Sequence, residues 1–168
     1  MGIRAERPED FEAIRHVNIA AFGRDNEANL VDRLRLATST LSFVAVQAQQ
    51  IVGHIFFSPV LIEGKPPQHS FILGLAPVAV LPNMQRQGIG SLLIHQGLRE
   101  CAQSGCSAVV VLGHPEYYPR FGFAPAKEKG LQCEYSVPDE AFMVLELQSG
   151  ALQGCSGTVK YRPEFASV

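Results

Sequence analysis

The chain has no tryptophan, only four cysteines and little charge: 18% of its 168 residues are charged, and the net charge is -2. Each scarcity excludes something. A near-neutral balance leaves no basic footprint of the kind nucleic-acid binding needs, so no nucleic-acid partner is expected. It does not exclude an anionic ligand, because helix ends and one or two arginines supply local positive potential. Cys101, Cys106, Cys133 and Cys155 show no Cys-x-x-Cys spacing and no neighbouring paired histidine, which argues for reduced thiols and against a metal. No stretch approaches the roughly 18 apolar residues of a membrane span, so no membrane partner is expected. Residues 1–6 lack the apolar run of a secretory signal, and the expectation is a cytoplasmic protein. A hydrophobic content of 46% is that of a globular chain with a sizeable core. With no repeat, low-complexity tract or linker, one domain over residues 1–168 is expected.

What is there alternates in period. Ile3–Ala5 reads as a strand. Pro8 suits a first helical position and Gly23 a helix end, bracketing a helix to about Phe22. Glu27–Leu36 reads as a second helix with Asn26 as its N-cap. Phe43–Val46, Ile51–Ile62 and Ser70–Leu81 read as a meander of strands, with a breaker-rich loop over Glu63–Pro67. Pro77 cannot donate to a ladder, so the third of these strands is bulged or unpaired there. Ile89, Leu92, Leu93, Gly97 and Cys101 mark the buried face of a helix ending at Gly105, widened by Ile94 and Leu98. Ser107–Leu112 is a continuous apolar strand of the kind found mid-sheet. A short helix holding Glu116, Tyr117 and Tyr118 follows Pro115, and strands near Leu131–Tyr135, Phe142–Leu147 and Gly157–Arg162 complete an α/β chain.

One segment carries chemistry. Gln85-Arg86-Gln87-Gly88-Ile89-Gly90 lies between the apolar strand and the helix from Ser91. A helix N-terminus bears about half a positive charge and roughly four unpaired N–H groups, and Gly88 and Gly90 let that backbone approach a ligand. Such a turn binds phosphates. It is not the Gly-x-x-x-x-Gly-Lys loop of nucleotide hydrolases, nor the Gly-x-Gly-x-x-Gly of dinucleotide oxidoreductases. The plainer alternatives are an ordinary helix-capping turn for the glycines and a solvated cation for Arg86.

Gln-x-x-Gly-x-Gly after a strand resembles the acetyl-coenzyme A signature of the GNAT N-acetyltransferases. Tyr117-Tyr118-Pro119-Arg120-Phe121-Gly122-Phe123 resembles that family's later Tyr-x-x-x-Gly-Phe element, with Tyr118, Gly122 and Phe123 in the matching places. The wording from Gly113 to Phe123 is most similar to the YhbS-like bacterial branch. The resemblance implies a mixed, mostly antiparallel sheet flanked by about four helices. It implies acetyl-CoA as cosubstrate with no metal. Arg86, Gln87, Gly88, Ile89, Gly90 and Ser91 would touch the diphosphate beside Gln85, and main-chain atoms of Val78, Ala79 and Val80 would pair with the pantetheine arm. It also leaves a homodimer open, since such dimers are common in the family.

In the family a tyrosine at the place of Tyr118 protonates the coenzyme A thiolate. A phenol of pKa about 10 stays protonated at neutral pH and suits that role. The alternative is a core tyrosine packed beside Phe121 and Phe123. For the amine proton, His114 directly after the mid-sheet strand has the right type, with Glu116, Glu63, His54 and His69 as rivals, and its alternative is a turn-shaping loop residue. The family has no universal base; in many members a glutamate works from a neighbouring strand, and Ser107–Leu112 carries none, which leaves the base open. Cys101, on a buried helix face, does not suit a covalent route. Two functions follow: acetyl transfer to a primary amine by direct transfer in a ternary complex, and a non-catalytic acyl-CoA-binding sensor of the same fold. With few charges to anchor a peptide, the expected acceptor is a small or amino-acid-like amine.

Overall fold

Arg4 clamps Asp10 with two hydrogen bonds, of 2.6 and 3.0 Å, and Arg7 N donates to the same carboxylate. The first strand, β1 (Gly2–Ala5), is thereby tied to the turn that opens helix α1 (Phe11–Phe22), which Gly23 ends in the left-handed conformation. The computed structural model describes all residues, 1–168. It continues with α2 (Asn26–Leu34), β2 (Leu41–Gln47), β3 (Gln50–Lys65), β4 (Ile72–Val80), α3 (Ile89–Gln103) and β5 (Ala108–Leu112). Four short strands follow: β6 (Ala124–Pro125), β7 (Leu131–Cys133), β8 (Phe142–Glu146) and β9 (Ser156–Lys160). The chain has three α-helices where about four were expected. The stretch after Pro115 forms only a turn and a 3-10 segment, Tyr118–Phe121, which Gly122 closes at φ +99°. No helix is long and apolar enough to cross a membrane.

The chain divides into two compact units. The first holds Met1–Ser58, Ala76–Gly97 and Pro163–Val168; the second holds Pro59–Leu75 and Leu98–Arg162. Two strands, β3 and β4, give one half to each.

In the first unit β1 pairs antiparallel with β2, and β2 with β3 from Leu41↔Phe57 to Gln47↔Gln50. Ala48 and Gln49 form the two-residue hairpin turn, both at positive φ, as strand twist requires. Helices α1 and α2 lay Ile14, Leu30, Val31 and Leu34 against Val44 and Phe56. Asn26 proves to be the first residue of α2, and Asp25 stands at the cap without a side-chain bond. Gly97 of α3 faces the Phe57 ring so closely that a Cβ would lie 2.7 Å from it.

A polar chain runs through this unit. Asn18 Nδ2 lies 3.2 Å from His54 Nδ1, and Ser42 Oγ lies 2.9 Å from His54 Nε2. Ser42 Oγ donates to Glu6, which also accepts from Arg35. Since the amide nitrogen can only donate, Nδ1 accepts and the proton sits on Nε2, pointing at Ser42. His54 is fully buried, and desolvation with help from the Arg35 charge lowers its pKa to about 3.

In the second unit β5 is flanked by the first half of β4, parallel from Ile72↔Ala108 to Gly74↔Val110, and by β8, antiparallel from Ala108↔Glu146 to Leu112↔Phe142. The ladder to β4 stops at Gly74, ahead of Pro77, although β4 runs on to Val80 and β5 to Leu112. β9 pairs with β3 over Leu61–Lys65, so Glu63–Lys65 are strand where a loop was expected. The two breakers make this pairing work: Gly64 and Gly157 face one another at φ +139° and +135°, with no room for a Cβ on either. Cys101 and Cys106 are buried thiols raised in pKa by desolvation, and all four cysteines are free.

Candidate active site

After Val80 the chain makes one 3-10 turn, Pro82–Met84, then extends through Gln85 and enters α3 at Ile89. Arg86 takes φ +63° and Gly88 φ +85°. Left-handed residues spaced in this way turn successive N–H groups to one side, which is how a backbone forms an anion nest. Leu92 N, bonded to Gly88 O at 3.0 Å, makes the first main-chain bond of the helix turn. Ile89, 4% exposed, anchors the turn, while Gln85, Arg86, Gln87 and Gly88 are exposed, and Gly90 and Ser91 half-buried. A Cβ built on Gly88 would meet nothing within 4 Å. Oriented amides, an open glycine and the exposed Arg86 fit a diphosphate. The Gln85 side chain turns away from this role and donates to Val80 O at 3.0 Å. Of the three residues expected along the pantetheine arm, Ala79 is buried, whereas Val78 and Val80 are half-buried on the other face of β4.

Beyond β5, Gly113 N donates to Ala141 O, and His114 O accepts from the amides of both Tyr117 and Tyr118. These bonds fold the chain back so that the Tyr118 ring lies on the Gly113 backbone. Rings of Tyr117, Phe123 and Phe121 surround it at 5.2, 5.7 and 6.4 Å. Tyr118 is 7% exposed, and desolvation pushes its phenol up to about 12. The packing read as the alternative to a catalytic role is therefore present, and it raises the phenol further above its ordinary value.

His114 is exposed and its carbonyl shapes the turn. Glu116, Glu63 and His69 are exposed as well. His54 drops out as a base: both ring nitrogens are engaged within the core, and burial disfavours its charged form. The sequence offered it as a rival base; only the closure of α1 and β2 over it reveals its setting. No group of three or more His, Cys, Asp or Glu side chains is placed to hold a metal ion. Within the second unit a cavity of about 340 Å³ is lined by Lys127, Leu131, Tyr135, Asp139 and Phe142, among others. Lys127 and Asp139 at its rim are 3.6 Å apart.

A family model described as acetyltransferase (GNAT) domain matches residues 38–125. The uncharacterized N-acetyltransferase YhbS of Escherichia coli (strain K12) is 38% identical over 167 residues, 98% of each chain. The uncharacterized N-acetyltransferase YjhQ of the same strain is 41% identical over 138 residues, 78% of this chain and 74% of that one. Among solved structures, Escherichia coli YhbS in complex with CoA matches with a TM-score of 0.90 at 37% identity, covering 98% of this chain and 91% of that one. A GNAT family acetyltransferase from Brucella melitensis in complex with acetyl-CoA matches with a TM-score of 0.79, also at 37% identity, covering 98% and 97%. Matched by the family model and by a relative along nearly its whole length, this chain belongs to the GNAT acetyltransferases and is an acyltransferase.

Proposed function

We propose that the chain, as one N-acetyltransferase domain over residues 1–168, moves an acetyl group from acetyl-CoA to the primary amine of a small or amino-acid-like acceptor while both are bound. The observation that carries this reading is the Tyr118 phenol, seated against Gly113 among aromatic rings at the end of β5. Acetyl-CoA supplies the activated thioester. The nest from Arg86 to Ser91 binds its diphosphate through main-chain N–H groups, and the main chain of Val78–Val80, beyond the end of the β5 ladder, is offered to its amides. Support comes from relatives at 37% identity whose structures contain CoA and acetyl-CoA.

Tyr118 donates the proton that the departing thiolate needs. A phenol near 12 facing a free thiolate of ordinary pKa about 8.5 is uphill by about 5 kcal/mol. That fits within the ~16 kcal/mol barrier of an enzyme turning over at ~10 per second, but it disfavours stepwise transfer to a finished thiolate. The proton therefore moves as the carbon–sulfur bond breaks. His114, exposed directly after β5, takes the proton from the amine. The cavity bounded by Lys127, Tyr135, Asp139 and Phe142 has the size of a small-molecule site, with polar and apolar groups to hold a small acceptor.

Acetyl-CoA titration by calorimetry and thiol release against an amine panel test the proposal. Tyr118→Phe should lower kcat by about 100-fold or more and leave cofactor affinity unchanged. Parental turnover in Tyr118→Phe would remove the proton-donor role; no heat with acetyl-CoA would remove the proposal as a whole.

A further inference from the structure

Gly113 differs from the glycines that this fold uses for their backbone freedom. Its φ lies outside the left-handed region, unlike Gly88, Gly122 or Gly130, so its conformation is open to any residue. What glycine provides here is space. A Cβ built on Gly113 would lie 2.8 Å from Tyr118 Cδ2, 3.3 Å from Cζ and closer still to Cε2, well inside the range real Cβ atoms occupy.

The ring has little freedom to yield. Tyr117 and Phe123 meet it edge-on at 5.2 and 5.7 Å, and its own amide is held by His114 O. Nor can Gly113 retreat, because its N–H is bonded to Ala141 O at 3.0 Å, continuing the pairing of Leu112 with Phe142. A methyl group at 113 must therefore push the ring, and the hydroxyl at its tip, by on the order of 1 Å.

We propose that Gly113 is a positioning residue for the reaction: its missing side chain seats the Tyr118 ring on the end of β5 and so aims the phenol at the departing sulfur. This rests on Tyr118 being the proton donor. The substitution removes no donor and touches no part of the diphosphate nest, so its expected signature is a loss in kcat with cofactor binding intact. A misplacement of about 1 Å costs on the order of 100-fold.

The test compares the parent, Gly113→Ala, Tyr118→Phe and the double variant, with acetyl-CoA affinity measured by calorimetry and kcat across pH. Gly113→Ala is expected to lose about 100-fold in kcat at unchanged cofactor affinity, to shift the alkaline limb of its kcat–pH profile, and to cause no further loss once position 118 is Phe. If Tyr118→Phe is impaired while Gly113→Ala keeps parental kcat and pH profile, the positioning role is wrong and the acid role stands. An equal loss from Gly113→Ala in both backgrounds would assign it a general structural cost and likewise overturn the role. Parental kcat in Tyr118→Phe would overturn the acid role and this inference together. A thermal readout covers poor folding of Gly113→Ala: once Tyr118→Ala removes the ring, adding Gly113→Ala should lower the Tm no further. A further drop there would place the clash elsewhere and refute the proposal.

Discussion

Gln85 Nε2 donates to Val80 O across 3.0 Å, so the side chain that opens the turn before α3 holds that turn to the last residue of β4. The bond sets where the turn begins relative to the strand. Because it is exposed, it is worth the low end of a net hydrogen bond, about 0.5–1 kcal/mol. Gln85→Ala should weaken acetyl-CoA binding by about 2- to 5-fold in calorimetry, with kcat at saturating cofactor nearly unchanged.

Gly88 and Gly154 make a matched pair. Both take positive φ, +85° and +80°, and a Cβ on either would meet nothing within 4 Å. Alanine at each costs about 1–2 kcal/mol of backbone strain, a Tm drop of roughly 2–8 °C. Only at Gly88 should acetyl-CoA affinity also fall, by about 10-fold or more, since the new methyl group enters the nest. Equal affinities in the two variants would show that the turn does not bind the cofactor.

His54 makes stability depend on pH. Its folded-state pKa of about 3 lies below the ordinary 6.5, so the unfolded chain takes up the proton first. The stability gained by keeping the ring neutral is complete above about pH 6.5 and drains away as pH falls toward 3. Between pH 7.5 and pH 5 the loss is about 2 kcal/mol, a Tm decrease of roughly 4–8 °C. Asp10 and Glu146, held below their ordinary values by Arg4 and by Leu152 N with Lys129, add their losses only in more acid solution. Melts at the two pH values check this, and His54→Gln should flatten the difference.

Gly97 leaves no space for a methyl group: a tetrahedral Cβ there would lie 2.7 and 2.8 Å from Phe57 Cε2 and Cζ. Phe57 is fully buried and cannot swing aside. Gly97→Ala should destabilise by about 1–3 kcal/mol in urea unfolding. Shortening the ring in the same chain, as Phe57→Leu, should recover part of that loss.

Local signals were legible wherever neighbours along the chain decide the outcome. Pro8 and Gly23 bracket the first helix because fixed φ and left-handed freedom are properties of those residues alone. Pro77 forewarned that the β4 ladder would fail, and pairing with β5 does stop at Gly74. Leu92 misled: it sits three residues from Ile89, yet it is 49% exposed. At 100° per residue it falls roughly 60° outside the buried sector from Ile89 to Leu98, so the true stripe is narrower on that side. Glu63–Lys65 misled because a breaker-rich stretch becomes strand once β9 supplies a second glycine opposite Gly64.

By itself the sequence determined most of the order of elements, the glycine-bearing turn at Gln85–Gly90 and the aromatic motif around Tyr118, since each is written in residues close along the chain. Tertiary structure alone decided which polar groups are engaged in the core and which ring packs where. His54 is silenced by Asn18 and Ser42, which come from other elements, and Tyr118 is seated on Gly113 by a turn whose closure depends on Ala141. Burial and packing depend on groups brought together from distant parts of the chain, and neither is a property of a residue's own neighbours.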